Sequence, residues 1–305
     1  MKKSKVAVVQ VQPFLFETDK TITRMWDLIP GMKSESPHLV LFPEAFLPGY
    51  PRGLTFGAVV GSRSQAGRDL YSRYFHNALA VGDKRFEELQ KMAAELQADL
   101  AVGVVEKSGA GGTLYCTIMY FASDGTFLGK HRKLKPTGSE RLIWGEGDGS
   151  TLPVFDNGFG IYGGLICWEN YMPLARMAMY QQGVQIYLAP TADFRESWQV
   201  TLRHIATEGR CFVLGCNQLI TPDAYPDDIL KEIPDPETIP CSGGSVIIGP
   251  GGNVLAGPLN NEEGILYAEL DLEEVIRGKY EIDVAGHYNR PDVFSFQVNT
   301  GSGLP

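Results

Sequence analysis

Apolar residues recur along the chain in two patterns, one typical of strands and the other of helices. The segment KVAVVQVQ (5–12) alternates with period two, and HLVLFPE (38–44) contains the continuous apolar run of a buried strand. By contrast, FEELQKMAAELQA (86–98) spaces its apolar residues three and four positions apart, as an amphipathic helix does. These patterns predict strands and helices that alternate along the chain.

The remaining elements follow the same two patterns. Residues 113–129 predict a hairpin with Ser123-Asp124-Gly125 as its turn. Further helices are predicted over 18–28, from Pro173 onwards and over 196–210, and further strands over 99–109, 160–166, 184–190, 211–218 and 243–255. This mixture of βα units and hairpins predicts an α/β layered sandwich, with either one mixed sheet or two sheets back to back.

The chain contains no Ser-, Gly- or Pro-rich linker and no internal repeat, so we predict one domain over residues 1–305. The acidic, Pro-rich segment 223–240 is predicted to be a surface loop. The N-terminal apolar run is short and alternating, unlike the core of a signal peptide, and no run of eighteen apolar residues predicts a membrane span.

Composition narrows the possible functions further. The chain is 44% hydrophobic and 21% charged, as is typical of globular proteins, and its net charge of −9 does not favour binding to nucleic acid or anionic membranes. The five cysteines are odd in number and lack CxxC spacing, which favours reduced thiols. We therefore predict a cytoplasmic protein that binds neither nucleic acid nor membrane.

Three ionisable residues stand where an apolar strand ends. Glu44 follows the second strand, Lys133 lies in a basic cluster, and Cys167 follows the paired glycines Gly163 and Gly164. Taken singly, they are typical of a capping carboxylate, a solvated charge and a core cysteine. Ligand sites of α/β sheets gather at the carboxyl ends of strands, so these side chains could meet in one site. There, a strand–Cys–helix junction would place the thiol at a helix N-terminus, which stabilises a thiolate.

No metal or cofactor site is predicted. The five histidines lie far apart in the sequence, and neither HExxH nor paired Cys/His spacing occurs. No GxGxxG or Walker-type loop opens a helix, GPGGNV (249–254) is typical of a hairpin turn, and EGDGS (146–150) lacks the further ligands of an EF-hand.

Together, the three segments resemble the nitrilase superfamily of carbon–nitrogen hydrolases. Its Glu–Lys–Cys triad maps onto Glu44, Lys133 and Cys167. The superfamily fold, an α-β-β-α sandwich, is one of the layered arrangements that the periodicity allows. The resemblance also implies a homodimer or larger homo-oligomer, including spirals or filaments.

The resemblance is greatest to the true nitrilase branch. HRKLKPT (131–137), WGEGDGS (144–150) and CWENYMPL (167–174) are similar to that branch, whereas amidases and carbamoylases usually have another residue, often Tyr, after the cysteine. Similarity covers nearly the whole chain and continues in HIATEGRCFVLGCNQ (204–218), CSGGSVIIGPGGNVLAGP (241–258) and DVAGHYNRPDVF (283–294).

The resemblance implies hydrolysis of an organic nitrile by water to a carboxylic acid and ammonia, without a cofactor. Cys167 would be the nucleophile that forms a thioimidate and then a thioester, and Glu44 would be the general base. Lys133 and the Trp168 N–H would stabilise charge on the former nitrile nitrogen. Glu140 is expected to hold Lys133 or to position the substrate.

The other polar residues near these motifs receive supporting roles. Trp168, Thr137 and Tyr50 are predicted to contact the substrate. His131 is predicted to be structural because the triad already supplies a base, while Glu169 and Asn170 would fix the turn after the cysteine.

Other functions remain open at this level. An amidase or carbamoylase would use the same triad, cyanide could be the substrate, and the intermediate could expel the thiol and release an amide. A non-catalytic assembly or regulatory scaffold is the alternative of another class, and the presence of all three triad residues speaks against it.

Overall fold

The structure is a computed structural model that describes residues 3–109 and 111–301. Its strands are β1 (Lys3–Gln10), β2 (Leu39–Leu41), β3 (Ala58–Val59), β4 (Ser62–Arg63), β5 (Asp99–Lys107), β6 (Leu114–Phe121), β7 (Phe127–Arg132), β8 (Phe155–Asp156), β9 (Ile161–Gly164), β10 (Ile186–Thr191), β11 (Phe212–Asn217), β12 (Leu219–Ile220), β13 (Cys241–Ile248), β14 (Val254–Asn260) and β15 (Gly264–Asp271). Its α-helices are α1 (Thr18–Glu35), α2 (Gln65–Asn77), α3 (Lys84–Leu96), α4 (Pro173–Gln181), α5 (Glu196–Gly209), α6 (Asp227–Leu230) and α7 (Glu273–Glu281).

The strands form two large mixed sheets and one small ribbon. The first sheet has the order β15-β1-β2-β5-β6-β7, and the second has the order β12-β13-β11-β10-β9-β8 with β14 paired to β13. Strands β3 and β4 form the ribbon. Strand β7 runs in the same direction as β2, because β5 is parallel to β2 and two antiparallel pairings follow. The carboxyl ends of β2 and β7 therefore lie at the same end of the first sheet.

Three apolar clusters show how the layers are stacked. One packs α1 and α3 against one face of the first sheet, for example Met25 and Leu89 against Val40. A second fills the space between the two sheets, and a third packs α4 and α5 against the outer face of the second sheet. Because each strand alternates its side chains between two layers, both faces of each sheet are buried. The predicted α-β-β-α sandwich is confirmed.

The local predictions hold for most of the central elements. Helices α3 and α5 and the start of α4 lie where the periodicity places them. The hairpin β6–β7 turns at the predicted residues, with Gly125 at a φ of +86° and the Ala122 N–H donating to the Thr126 carbonyl.

Two local predictions were wrong in extent. Helix α1 continues to Glu35, past Pro30, because Pro30 lies on its exposed face while Met32 on the opposite face is fully buried. The segment 223–240 is more than a surface loop, since it contains α6 and buries four large side chains between the layers. These are Tyr225, Ile229, Ile233 and Ile239.

Candidate active site

Cys167 lies on a sharp turn between β9 and α4. Its φ is +51°, in the left-handed region that non-glycine residues rarely occupy, so the turn holds the cysteine in a strained conformation. The strand behind it needs a glycine, because a Cβ on Gly164 would lie only 1.8 Å from the carbonyl oxygen of Leu188 on β10. The glycine therefore allows two strands to pack closely, and the positive φ falls on the cysteine itself.

One expectation about this turn was wrong. Cys167 begins a 3₁₀ helix of five residues, Cys167–Tyr171, and α4 starts only at Pro173. The thiol therefore does not lie at the N-terminus of an α-helix. Burial is the largest influence on its pKa and raises it, the negative charge of Glu44 raises it further, and Lys133 only partly offsets both. A neutral thiol, rather than the expected thiolate, is favoured at rest.

Glu44 lies just beyond β2 and is completely buried. Its backbone packs closely against β5, where a Cβ on Gly103 would lie 2.0 Å from the Pro43 carbonyl oxygen. The Gln218 side-chain amide donates to the Glu44 carbonyl and fixes the backbone from the second sheet. The carboxylate is thus held on a rigid segment between the two sheets.

Lys133 joins two carboxylates in the interior. Its Nζ donates to Glu44 Oε1 at 2.7 Å and to Glu140 Oε2 at 2.8 Å, and both Lys133 and Glu44 have no exposed side-chain surface. Glu140 Oε2 also accepts the Thr137 N–H at 2.6 Å, and Glu140 Oε1 accepts the Tyr50 hydroxyl at 2.7 Å. Glu140 therefore holds Lys133 in place, as one of its two predicted roles requires.

Burial and charge act in opposite directions on this cluster. Burial disfavours the charge on Lys133, but Glu44, Cys167 and Glu140 together raise its pKa well above the usual value. Burial also raises the pKa of Glu44, and Lys133 opposes that rise without cancelling it. Lys133 is thus kept cationic, while the Glu44 carboxylate is a stronger base than an exposed carboxylate.

Glu44 presents one free carboxylate oxygen. Oε1 accepts from Lys133 and, at 3.5 Å, from the Cys116 thiol. Among the described residues, no donor lies at ordinary hydrogen-bond length from the buried Oε2, and the Cys167 thiol interacts with the same carboxylate. Because Glu44 and Cys167 shift each other's pKa, the two groups share one electrostatic site, and Oε2 is available to accept a proton.

A cavity of about 300 Å³ opens above Cys167. The structure brings the three predicted substrate-contact residues to its wall together with Glu140, while Glu44 and Lys133 are fully buried and do not line it. The lining residues are Tyr50, Arg52, Thr137, Glu140, Cys167, Trp168, Ala192, Asp193, Phe194 and Arg195.

Sequence reasoning missed the segment that follows β10. Thr191 ends that strand and its hydroxyl donates to Cys167 Sγ at 3.1 Å. Asp193 accepts the Trp168 indole N–H at 2.7 Å and pairs with Arg195, so it fixes the orientation of Trp168 in the cavity wall. The signal was present, because APTADF (189–194) is another polar segment at the carboxyl end of a buried strand.

His131, Glu169 and Asn170 lie behind the cavity. Asn170 donates to the carbonyls of Leu165 and Cys167 at 3.0 and 2.9 Å, so it fixes the turn as predicted. Glu169 also contacts this turn, as described below. Within the described ranges, no group of three or more His, Cys, Asp or Glu residues is arranged to hold a metal ion, and no helix is long and apolar enough to cross a membrane.

Comparison with known proteins identifies the family. Residues 5–280 match the carbon–nitrogen hydrolase family. The chain belongs to the carbon–nitrogen hydrolase family. A bifunctional nitrilase/nitrile hydratase from Nicotiana tabacum is 46% identical over 306 residues, which cover 99% of this chain and 87% of that protein. An aliphatic nitrilase from Sinorhizobium fredii is 46% identical over 98% of this chain and 96% of its own length. The resemblance to the nitrilase branch is confirmed.

Solved structures of more distant proteins share the fold. A carbon–nitrogen hydrolase from Helicobacter pylori aligns with a TM-score of 0.76 at 21% identity, covering 96% of this chain and 97% of that one. A CN-hydrolase superfamily protein from Xanthomonas campestris aligns with a TM-score of 0.74 at 15% identity, covering 98% and 100%. At these identities, the two structures support the fold alone.

Proposed function

We propose that this protein is a nitrilase that hydrolyses an organic nitrile to the carboxylic acid and ammonia, with Cys167 as nucleophile, Glu44 as base and Lys133 as the cation. One observation carries the assignment of the residues. Cys167 lies at a cavity directly above a buried cluster in which Lys133 bridges Glu44 and Glu140. The nitrilases that share 46% of its sequence support the choice of substrate.

The first half-reaction forms a covalent bond to sulfur. Glu44 Oε2 takes the proton of the Cys167 thiol as the sulfur attacks the nitrile carbon. The carbon–nitrogen triple bond becomes a double bond, and the negative charge on nitrogen is stabilised by Lys133 and by the backbone N–H of Trp168. Glu44 then gives the thiol proton to the nitrogen, which yields a neutral thioimidate and restores the Glu44 carboxylate. Because the thiol is neutral at rest, proton transfer to Glu44 is coupled to the attack.

The second half-reaction uses two water molecules. Glu44 removes a proton from the first water, which adds to the thioimidate carbon to give a tetrahedral intermediate. Glu44 passes the protons of this water to the nitrogen, so that cleavage of the C–N bond releases ammonia, leaves a thioester and restores the Glu44 carboxylate. A second water, activated in the same way, cleaves the C–S bond and regenerates the thiol. If the C–S bond of the tetrahedral intermediate breaks first, the product is an amide. This outcome matches the second activity in the name of the Nicotiana tabacum relative.

The proposal extends to the setting of the enzyme. The five cysteines are free and buried, which supports a reducing, cytoplasmic location. Exposed apolar side chains on α4 and near the C-terminus, such as Leu174 and Phe294, support assembly into a homodimer or larger homo-oligomer. The family match over most of the chain supports one domain over residues 1–305.

The test measures ammonia and acid released from a panel of aliphatic, aromatic and arylacetonitriles, with the matched amides and cyanide alongside. The Cys167→Ala variant is expected to lose all turnover, whereas Cys211→Ala, which removes a buried cysteine outside the site, keeps it. Turnover of amides alone would assign the protein to the amidases. Absence of turnover across the panel, or turnover that survives Cys167→Ala, would overturn the proposal and favour the scaffold alternative.

A further inference from the structure

A buried carboxylate behind the cavity connects the two halves of the site. Glu169 Oε1 accepts the Leu134 N–H at 2.7 Å, and Glu169 Oε2 accepts the Ile166 N–H at 2.8 Å. Leu134 directly follows Lys133, and Ile166 directly precedes Cys167. The Glu169 side chain thus holds the backbone beside Lys133, which follows β7 of the first sheet, against the backbone beside Cys167, which follows β9 of the second sheet.

His131 completes the coordination of this carboxylate. Its Nε2 lies 2.8 Å from Glu169 Oε2, and its Nδ1 lies within hydrogen-bond distance of the Thr151 carbonyl oxygen. Both partners are acceptors, so both ring nitrogens must carry a proton for the two contacts to be hydrogen bonds. Only the imidazolium satisfies that requirement. His131 and Glu169 have no exposed side-chain surface, and neither is part of the Glu44–Lys133–Glu140 cluster.

The ionisable surroundings agree with a protonated His131. Burial opposes the charge, but Glu169 raises the pKa of His131 above its usual value. Tyr120 and Tyr187 also lie near Glu169, and burial raises the pKa of both phenols, which keeps them neutral.

We propose that the His131–Glu169 ion pair is a positioning device that sets the placement of Lys133 relative to Cys167. The inference rests on the proposed function, because it concerns the two groups assigned to the reaction. Neither residue touches the cavity, so neither is a catalytic residue. The two carboxylate oxygens of Glu169 accept from three donors, which are the Leu134 N–H, the Ile166 N–H and His131 Nε2. In Glu169→Gln, an NH₂ group that cannot accept a hydrogen bond replaces one of these oxygens. At least one of the two backbone contacts is therefore lost.

Strand β7 supplies a matched control on its other face. There, Glu106 accepts hydrogen bonds from Lys130, Arg132 and Thr117, and its side chain is only 3% exposed. Because side chains alternate along a strand, His131 and Lys133 face the site while Lys130 and Arg132 face Glu106. Glu106→Gln therefore breaks a buried ion cluster on the same strand without touching the link between Lys133 and Cys167.

The experiment compares Glu169→Gln with Glu106→Gln in kcat, KM and melting temperature, using a nitrile that the wild-type protein hydrolyses. Both variants are expected to lose stability. Only Glu169→Gln is expected to lose kcat, by about 100-fold with KM changed less than about threefold, because small displacements of reacting groups have effects of this size. Should Glu169→Gln not fold, His131→Gln is measured against the same control.

The outcomes distinguish this inference from the proposed function. Turnover by the wild type that disappears in Cys167→Ala supports the function, whatever Glu169 does. The inference is overturned if Glu169→Gln keeps the kcat of Glu106→Gln at temperatures where both are folded, because the pair is then a structural element only. It is also overturned if KM rises while kcat is unchanged.

Discussion

Two buried ion clusters lie within a few residues of each other along β7, and they differ in charge balance. In one, the single carboxylate of Glu106 faces two cations, Lys130 and Arg132. In the other, the single cation of Lys133 faces two carboxylates, Glu44 and Glu140. Both clusters carry a desolvation cost, and the Lys133 cluster is the more deeply buried, since Lys130 and Arg132 keep 24% and 15% of their side-chain surface exposed.

Burial and charge balance together set the pKa of the carboxylate in each cluster. Burial raises the pKa of Glu106, but Arg132 and Lys130 more than cancel that rise, so its pKa lies below the usual value. The pKa of Glu44 stays raised, because burial raises it most and the one lysine that opposes this rise is shared with Glu140. When cations outnumber carboxylates, the pKa of the carboxylate is lowered and the group stays ionised as a structural ion. When carboxylates outnumber cations, the pKa of a buried carboxylate stays raised and the group can accept a proton. This contrast supports the proposal that Glu44 is the base.

The largest effect is expected from Glu44→Gln, which gives the Lys133 cluster one carboxylate and one cation. The amide keeps an oxygen for Lys133 but cannot accept a proton, so we expect kcat/KM to fall by about 1,000-fold or more. Stability is expected to change little, since the variant removes a buried charge while Lys133 keeps Glu140 as its partner. Steady-state kinetics and urea unfolding of the variant measure the two quantities.

The comparison of the clusters would be contradicted if Glu44→Gln strongly destabilised the protein but left the turnover of the remaining folded molecules unchanged. That result would make Glu44 a structural ion of the same kind as Glu106. Glu140→Gln is a useful second variant, because it also leaves the cluster with one cation and one carboxylate, but the remaining carboxylate is that of Glu44.

A smaller effect, on stability rather than on turnover, is expected from Glu106→Gln. Its cations keep 24% and 15% of their side-chain surface exposed, so we expect a loss of about 2 kcal/mol, less than for a fully buried pair. Because the folded pKa of Glu106 is lowered, the carboxylate stabilises the fold fully above the unfolded pKa of about 4.3.

This stabilisation should disappear as the pH falls through the folded pKa of Glu106. The measurement is urea unfolding of the wild type and Glu106→Gln between about pH 7 and pH 3. We expect a constant difference in the free energy of unfolding above about pH 5 and a shrinking one below about pH 4. A difference that grows on acidification would mean that Glu106 is not held as the ionised form.

The sequence predicted those parts of the fold whose signal is local. Period-two and helical patterns located β1, α3, α5 and the β6–β7 hairpin. Helix α2 was missed because little of its surface packs on the core, with only Gly67 and Tyr74 buried. Strand β15 was missed because its side chains are mostly half-buried and its partner, β1, lies about 260 residues away in sequence.

For the site, the sequence predicted which residues take part better than it predicted their protonation states and contacts. Strand ends and the family resemblance identified Glu44, Lys133 and Cys167, which the structure brings together. The thiolate expectation failed because burial and the Glu44 charge act on Cys167 through space, and no local pattern contains them. Cys116 was missed for the same reason. It resembles any other core cysteine in sequence and becomes part of the site only when β6 packs beside β7.

The smallest effect, and the finest test of how Glu44 is held, comes from Cys116. Its thiol donates to Glu44 Oε1, and its carbonyl accepts the Lys133 N–H at 2.8 Å. Cys116→Ala removes the thiol donor, so the pKa of Glu44 should rise and the acid limb of the pH profile of kcat/KM should move upward by about 0.3 pH unit. Cys116→Ser keeps a donor and should leave the limb nearer its original position, while Cys211→Ala controls for the loss of a buried thiol. If Cys116→Ala and Cys211→Ala give the same profile, then Lys133 alone orients the Glu44 carboxylate.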